Sequence, residues 1–219
     1  MKWVYIIASI LLFVKMLLVA NPSADFPLPI VETIVRESGV PNAVSGVIFR
    51  NRLYDTIFEV VVFTIAILGC NYLLATEKPF PMVYQLPDSP SILLARLGAT
   101  ISALVGIELA IRGHLSPGGG FAAGVAGGTA IGLVAITYSP QAMQQIYQRW
   151  QAARWEKVSV LLFIVLSAVT LCGWELPHGD LGTLVSGGIL PFLNFLVAVK
   201  VALGSWAVIL LFIHYRGLL

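Results

Sequence analysis

Six apolar runs separated by short polar connections dominate the sequence and limit what it can fold into. A helix of about 20 mostly apolar residues crosses the hydrocarbon core of a bilayer. With 58% hydrophobic and 11% charged residues, the chain has the composition of a protein that crosses a membrane several times. We therefore predict an all-α integral membrane protein of about six transmembrane helices with short loops. The predicted spans are Trp3–Ala20, Tyr54–Ala75, Ile92–Ile111, Phe121–Tyr138, Val158–Gly173 and Ile189–Phe212.

Two of the connections are long enough to predict structure of their own. Residues 21–52 form a polar and mixed connection, in which Ile30 to Ser38 can be a short amphipathic helix ended by Gly39. Residues 139–157 are rich in Gln, Arg and Trp and predict a surface helix that begins at Ser139-Pro140.

The distribution of Lys and Arg predicts the orientation, because basic residues favour the cytoplasmic side. With six spans, most of them fall on one side, which is then cytoplasmic together with both termini. These residues are Lys2, Lys78, Arg96, Arg149, Arg154, Lys157 and Arg216. The turn of residues 112–120 and the loop of residues 174–188 then face outward. Arg36, Arg50 and Arg52 lie on the opposite side, in the company of acidic residues.

Several function classes find no support in the sequence. A net charge of +2 is too small to indicate nucleic-acid binding. Cys70 and Cys172 both lie in apolar runs, which indicates neither a disulfide nor a metal site. There is no phosphate-binding loop and no nucleophile motif. We expect no enzyme activity, no cofactor and no metal.

The most distinctive stretch joins the third and fourth apolar runs. It reads Arg112-Gly-His-Leu-Ser-Pro-Gly-Gly-Gly-Phe121, and its proline and glycines end the helix before it. The helix after it carries Gly120, Gly124, Gly128 and Gly132, which share one face because they are four residues apart. A face of glycines lets another helix approach closely, so we predict that this face packs against a helix.

This motif resembles the B subunit of Mrp-type multisubunit Na⁺/H⁺ antiporters, the MnhB domain, over roughly residues 91–215. A weaker resemblance lies upstream in Arg52-Leu-Tyr-Asp-Thr-Ile-Phe-Glu59. That segment is similar to the C-terminus of the antiporter A subunit, or to the E-type subunit of membrane-bound hydrogenase relatives. The two resemblances predict an N-terminal two-helix region over residues 1–90 and an MnhB-like four-helix membrane domain over residues 91–219.

The resemblance implies an integral subunit of a cation (Na⁺)/proton antiporter that transports nothing alone. Its implied partners are large complex I-like subunits and small membrane subunits, within the plasma (inner) membrane, with Na⁺ and H⁺ as the transported ions. One alternative is the same module in the membrane arm of a hydrogenase or a complex I-like oxidoreductase. A further alternative is a stand-alone transporter, although no internal repeat of the kind common in such proteins is visible.

Lys200 is the strongest candidate for a residue on an ion path. It lies 11 residues after Ile189, about 16 Å along a helix and therefore near the middle of the membrane. A charged lysine there costs about 2.5–3.5 kcal/mol, so it should face protein or water. It either relays protons or ties its helix to a neighbour. Gly204, four residues on, is expected to leave room for its stem.

The other candidates for an ion path lie near the outer ends of spans. Glu108 and Arg112 are four residues apart and can pair on a helix. His114 is a candidate because it lies inside the motif of residues 112–121. Asp55 and Glu59 share one helix face at the outer end of the second span.

Overall fold

The structure, a computed structural model, describes residues 30–79 and 88–216 together with Ile10 and Val14. All regular elements in these residues are helical, as predicted, and no strand occurs among them. Residues 1–30 and 31–219 form separate units, and the description that follows concerns the second. The predicted first span, Trp3–Ala20, lies outside the described residues apart from Ile10 and Val14.

The N-terminal part of this unit is more helical than the sequence indicated. Helix α1 (Ile30–Ser38) has the predicted bounds, and Gly39 follows it with φ of +67°. A second helix, α2 (Ala43–Gly46), continues into one π-helical turn over Val47–Asn51. The predicted polar and mixed connection thus contains further helical turns, and Phe49 within it buries its side chain in the core.

Two long helices and a short one form the middle of the chain. They are α3 (Leu53–Leu74), α4 (Ser89–Arg112) and α5 (Gly120–Ala135). Asp88 caps α4 by accepting a hydrogen bond from the backbone N–H of Ser91. The turn between α4 and α5 ends in Gly118 and Gly119, whose φ values of +144° and +101° suit glycine.

The connection after α5 differs from the prediction in one consequential way. Helix α6 (Pro140–Arg149) begins as predicted, with Ser139 as its cap and proline in its first turn. However, α7 (Ala152–Leu171) begins directly after Gln151, which takes a left-handed conformation with φ of +51°. The fifth apolar helix therefore starts six residues earlier than predicted, and Glu156 lies inside it.

The last helix, α8 (Leu190–Arg216), is the centre of the fold. It packs against α3, α5 and α7. Its apolar residues Leu193, Val197 and Val201 are buried in the main core with Phe163 of α7. Burial against three helices is what allows α8 to carry polar side chains away from lipid.

Three of the described helices are long and apolar enough to cross a membrane: Leu53–Leu74, Ser89–Arg112 and Leu190–Tyr215. Helix α5 is apolar but shorter, and the first turns of α7 carry Arg154, Glu156 and Lys157. The chain is thus an all-helical protein with several membrane-spanning candidates. The count of six and the cytoplasmic termini remain predictions.

Candidate functional site

The strongest candidate site is a buried ion pair in the centre of the fold. Lys200 of α8 is 1% exposed, and its Nζ contacts Oε1 of Glu156 on α7. Its Nζ also lies 5.3 Å from the centre of the Phe63 ring of α3, within the range of a cation–π contact. Three helices therefore enclose the lysine, which faces protein as the sequence predicted.

Glu156 reaches Lys200 because α7 begins at Ala152. The side chain of Glu156 is 12% exposed, and its backbone carbonyl accepts a hydrogen bond of 2.7 Å from the Ser159 hydroxyl. Sequence reasoning missed Glu156 by ending the preceding surface segment at Lys157. The available signal was a single carboxylate between two basic residues, directly before an apolar run.

Gly204 lies against the side chains of α3. A Cβ atom at Gly204 would lie 2.6 Å from Cδ1 of Ile67 and 2.8 Å from Cε1 of Phe63. The glycine thus makes room for α3. Its effect on the lysine is indirect, because it lets the Phe63 ring approach.

The glycine face of α5 packs against α8 of the same chain. A Cβ atom at Gly120 would lie 2.4 Å from the backbone oxygen of Asn194, and one at Gly124 would lie 2.4 Å from Cβ of Val201. At Gly128 the nearest atom, Cβ of Ser205, would be 2.7 Å away. Gly132 has more room, with its nearest neighbour, Cδ1 of Ile209, at 3.5 Å. The first three glycines therefore set the distance between α5 and the helix that carries Lys200.

Glu108 and Arg112 form a second ion pair at the far end of α4. Glu108 Oε1 and Arg112 Nη1 are 3.3 Å apart, and their side chains are 58% and 52% exposed. The spacing of four residues brings them together as predicted. Their exposure distinguishes them from the Lys200 pair.

His114, in the turn after α4, is fully buried. Neither ring nitrogen has a hydrogen-bond partner in the described part of the chain. Burial lowers the pKa of His114, although the nearby peptide groups of Thr183 and Leu184 partly oppose this effect. A solvated loop histidine, the more common situation, is therefore not what the structure contains.

Two asparagines fix the turn that holds His114. Nδ2 of Asn42 donates to the carbonyls of Gly113 and Ser116, both at 2.8 Å. Nδ2 of Asn194 donates to the carbonyls of Leu109 and Ala110, at 3.1 and 2.8 Å. These four carbonyls lie at or just beyond the end of α4, where carbonyls lack helical partners. The sequence placed Asn194 on the helix of Lys200 but did not reveal this role.

The remaining predicted residues belong to local contacts. Asp55 accepts a hydrogen bond of 2.6 Å from Nε of Arg52, and Glu59 is exposed on α3. Glu175, in the loop between α7 and α8, pairs with Arg50 at 2.8 Å, and its other oxygen lies 3.7 Å from Nε2 of His178. Among the described residues, the ion pairs link no two predicted ion-path residues except Glu108 and Arg112.

A metal site has no support in the described residues, where no three His, Cys, Asp or Glu side chains lie close enough together to hold an ion. What the described groups can do is hold and exchange protons. Of the ion pairs, only the one between Glu156 and Lys200 is enclosed by several helices.

The sequence profile of a domain related to the MnhB subunit of Na⁺/H⁺ antiporters matches residues 90–207, more than half of the 219-residue chain. The chain belongs to this family. The matched region contains the motif turn, the glycine face, Glu156 and Lys200. No curated protein matches the sequence significantly.

Two solved structures share the fold of this family member. One is a chain of the membrane-bound sulfane sulfur reductase, an archaeal respiratory membrane complex. It is 24% identical with a TM-score of 0.70, and the match covers 97% of this chain and 98% of that one. The other belongs to the Mrp complex from Dietzia sp. DQ12-45-1b and is 16% identical with a TM-score of 0.59. That match covers 95% of this chain but 25% of the other.

Family and fold together make this chain a multi-pass membrane subunit of the kind found in multisubunit membrane complexes. The recognition made from the Arg112–Phe121 motif is thereby confirmed.

Proposed function

We propose that this chain is an integral subunit of a multisubunit Na⁺/H⁺ antiporter, and that Glu156 and Lys200 form a proton relay within it. We further propose that the chain has six membrane spans and cytoplasmic termini. Its proposed partners are large and small membrane subunits. The observation that carries the relay is the burial of Lys200, at 1% exposure, against a single carboxylate.

A buried lysine–carboxylate pair suits proton transfer for a simple physical reason. Removing charges from water is unfavourable, and their mutual attraction offsets this only while both are charged and in contact. Protonation of Glu156 or deprotonation of Lys200 therefore shifts the energy of the site strongly. A group with this sensitivity can couple proton movement to rearrangement of neighbouring helices or subunits.

Glu108, Arg112, His114, Asp55 and Glu59 hold a smaller place in this proposal. Glu108, Arg112 and Asp55 form local ion pairs, and Glu59 is exposed. We assign them to the outward-facing end of the subunit, outside the proton relay itself. His114 is assigned to the packing of the outer turn, because its ring is buried close to the peptide groups of Thr183 and Leu184.

The relay is tested by Lys200→Ala in the native host. We expect a loss of growth at high sodium or alkaline pH that exceeds the loss of assembled complex on a native gel, which the unpaired Glu156 itself reduces. Lys200→Arg, which keeps a cation, serves as the matched variant for assembly. Normal ion-coupled growth of Lys200→Ala would overturn the relay, and loss of assembly with both variants would assign Lys200 a structural role.

A second candidate function is a membrane-arm subunit of a redox-driven complex. It is favoured by the match to the sulfane sulfur reductase chain, which is nearly coextensive with this one, whereas the Mrp chain is about four times longer. Purification of the tagged protein in mild detergent, followed by mass spectrometry of the co-purifying subunits, separates the two. Antiporter-like and small membrane subunits alone support the antiporter, and iron–sulfur or hydrogenase-type subunits support the redox complex.

A further inference from the structure

A cavity of about 920 Å³ lies between α3, α6, α7 and α8 on the side of the fold opposite the Arg112–Phe121 turn. Roughly half of the residues that line it are polar or titratable. Those that matter for the argument are Gln144 and Tyr147 of α6, Glu156 and Lys157 of α7, and His214 of α8. Most of the exposed lining surface is apolar, and these polar side chains supply the hydrogen-bond partners that water in the cavity needs.

Glu156 is the point where this cavity meets the buried pair. Its side chain lines the cavity and retains 12% exposure, whereas Lys200 lies behind it and does not line the cavity. Tyr147 also lines the cavity. Burial, and secondarily the charge of Glu156, raise the pKa of the Tyr147 hydroxyl.

We infer that this cavity is a water-filled entrance through which the Lys200 site exchanges protons with one side of the membrane only, with Glu156 as the obligatory intermediate. The inference rests on the proposed relay and adds its route and direction. The Lys200 ammonium gives a proton to Oε1 of Glu156, breaking an N–H bond and forming an O–H bond, and Glu156 then gives that proton to cavity water; in the reverse direction, cavity water protonates Glu156, which passes the proton to a neutral Lys200. No other bond forms or breaks.

The connectivity places Glu156 and Cys172 towards opposite ends of α7. Glu156 lies near the start of α7, and Cys172 directly follows its last residue, Leu171. Because α7 has 20 residues, these two ends are about 30 Å apart, the thickness of the hydrocarbon core. Cys172 is exposed, so it is a natural marker for the opposite face.

The experiment measures labelling of single cysteines by a membrane-impermeant thiol reagent in membranes that contain the whole complex. The probe is Ala207→Cys with Cys70 and Cys172 replaced by alanine, since Ala207 lines the cavity two turns from Lys200. The matched control is Ile209→Cys in the same background. Ile209 lies two residues nearer the end of α8 but packs towards Gly132 of α5.

We expect the cysteine at 207 to react faster than the one at 209, and only from the face opposite that at which wild-type Cys172 reacts. Burial that raises a thiol pKa by one unit reduces its reactive thiolate about tenfold, so a difference of about tenfold is anticipated. If depth alone governed access, the cysteine at 209 would react first. That result, or labelling at 207 from the Cys172 face, would overturn the entrance.

A second variant tests whether the cavity serves the pair. Ala207→Phe places a ring in the cavity without removing a titratable group, and Ile209→Phe is its control. We expect slower coupled proton movement with Ala207→Phe than with Ile209→Phe at equal assembly, and equal rates would overturn the assigned route. Such failure would leave the effect of Lys200→Ala intact, whereas failure of the relay itself would leave labelling at 207 unchanged.

Discussion

The two carboxylate–cation pairs on the long helices of this protein are chemically alike but differ in their surroundings. Glu108 and Arg112 pair within one helix and are more than half exposed. Glu156 and Lys200 pair between two helices, with exposures of 12% and 1%. An exposed pair contributes about 0.2–1 kcal/mol, whereas loss of one partner from a buried pair costs about 3–5 kcal/mol. Location in the fold, and not residue type, therefore decides for which pair the gain or loss of a proton changes the free energy strongly.

The largest effect is expected from breaking the buried pair on one side. Glu156→Gln leaves Lys200 without a counter-charge, which should destabilise the fold by about 3–5 kcal/mol and reduce the amount of assembled complex. The double variant Lys200→Met, Glu156→Leu removes both charges at similar volume and should restore assembly but not proton coupling. Thermal stability of the purified complex and its yield measure the first effect. A Glu156→Gln complex as stable and abundant as the wild type would show that leaving Lys200 without its counter-charge costs little free energy.

A somewhat smaller effect is expected from separating α5 from the helix that carries Lys200. Gly124→Leu introduces a side chain whose Cβ would lie 2.4 Å from Cβ of Val201, and such overpacking costs about 1–3 kcal/mol or more. Gly132→Leu is the control, because its nearest contact of 3.5 Å is ordinary. Native gels and melting temperatures should show weaker assembly for Gly124→Leu than for Gly132→Leu. Equal behaviour would contradict the tight packing of α5 on α8.

The buried His114 makes the stability of its turn depend on pH. Burial lowers its pKa in the folded protein, so below the unfolded value near 6.5 the unfolded turn binds a proton that the folded turn does not. Stability is therefore highest above about pH 6.5 and falls as the pH drops towards the folded pKa, by at most about 1.4 kcal/mol per pH unit.

The protection of residues 180–188 against hydrogen exchange, corrected for the intrinsic exchange rate at each pH, should accordingly fall in the wild type as the pH drops below about 6.5. His114→Gln should remove this dependence, whereas replacement of the partly exposed His178 should leave it in place. Exchange with no such dependence in the wild type would mean that the ring of His114 is solvated.

The smallest effect is expected from the exposed pair. Glu108→Ala should change stability by about 0.3–0.5 kcal/mol, as is usual for an exposed pair four residues apart. The melting temperature of the purified complex measures this effect, as it does for Glu156→Gln. A loss comparable to that of Glu156→Gln would show that another subunit buries Glu108 in the complex.

The same two pairs show which parts of the candidate site could be predicted from the sequence. The pairing of Glu108 with Arg112 followed from helical spacing, and the burial of Lys200 followed from its depth in an apolar run. The partner of Lys200 did not follow, because it is 44 residues away and depends on where α7 begins. That start is set by the left-handed conformation of Gln151, which no residue pattern announces. The burial of His114 likewise depends on the distant loop around Thr183.

Some of the fold was predictable for a general reason. Long apolar runs and a glycine face impose helices and close packing almost regardless of context. The identity of the helix opposite the glycine face, which is α8 of the same chain, required the tertiary structure. So did the role of Gly204, whose neighbours come from α3.

Proton movement into membrane vesicles that contain the complex, with its assembly measured in the same sample, tests the central claim most directly. The comparison is between Lys200→Met, Glu156→Leu and the matched double variant Glu108→Ala, Arg112→Ala. We predict that the first abolishes coupled proton movement in an assembled complex, while the second retains it. Retained coupling in the first variant, at normal assembly, would contradict the assignment of the buried pair as the proton relay.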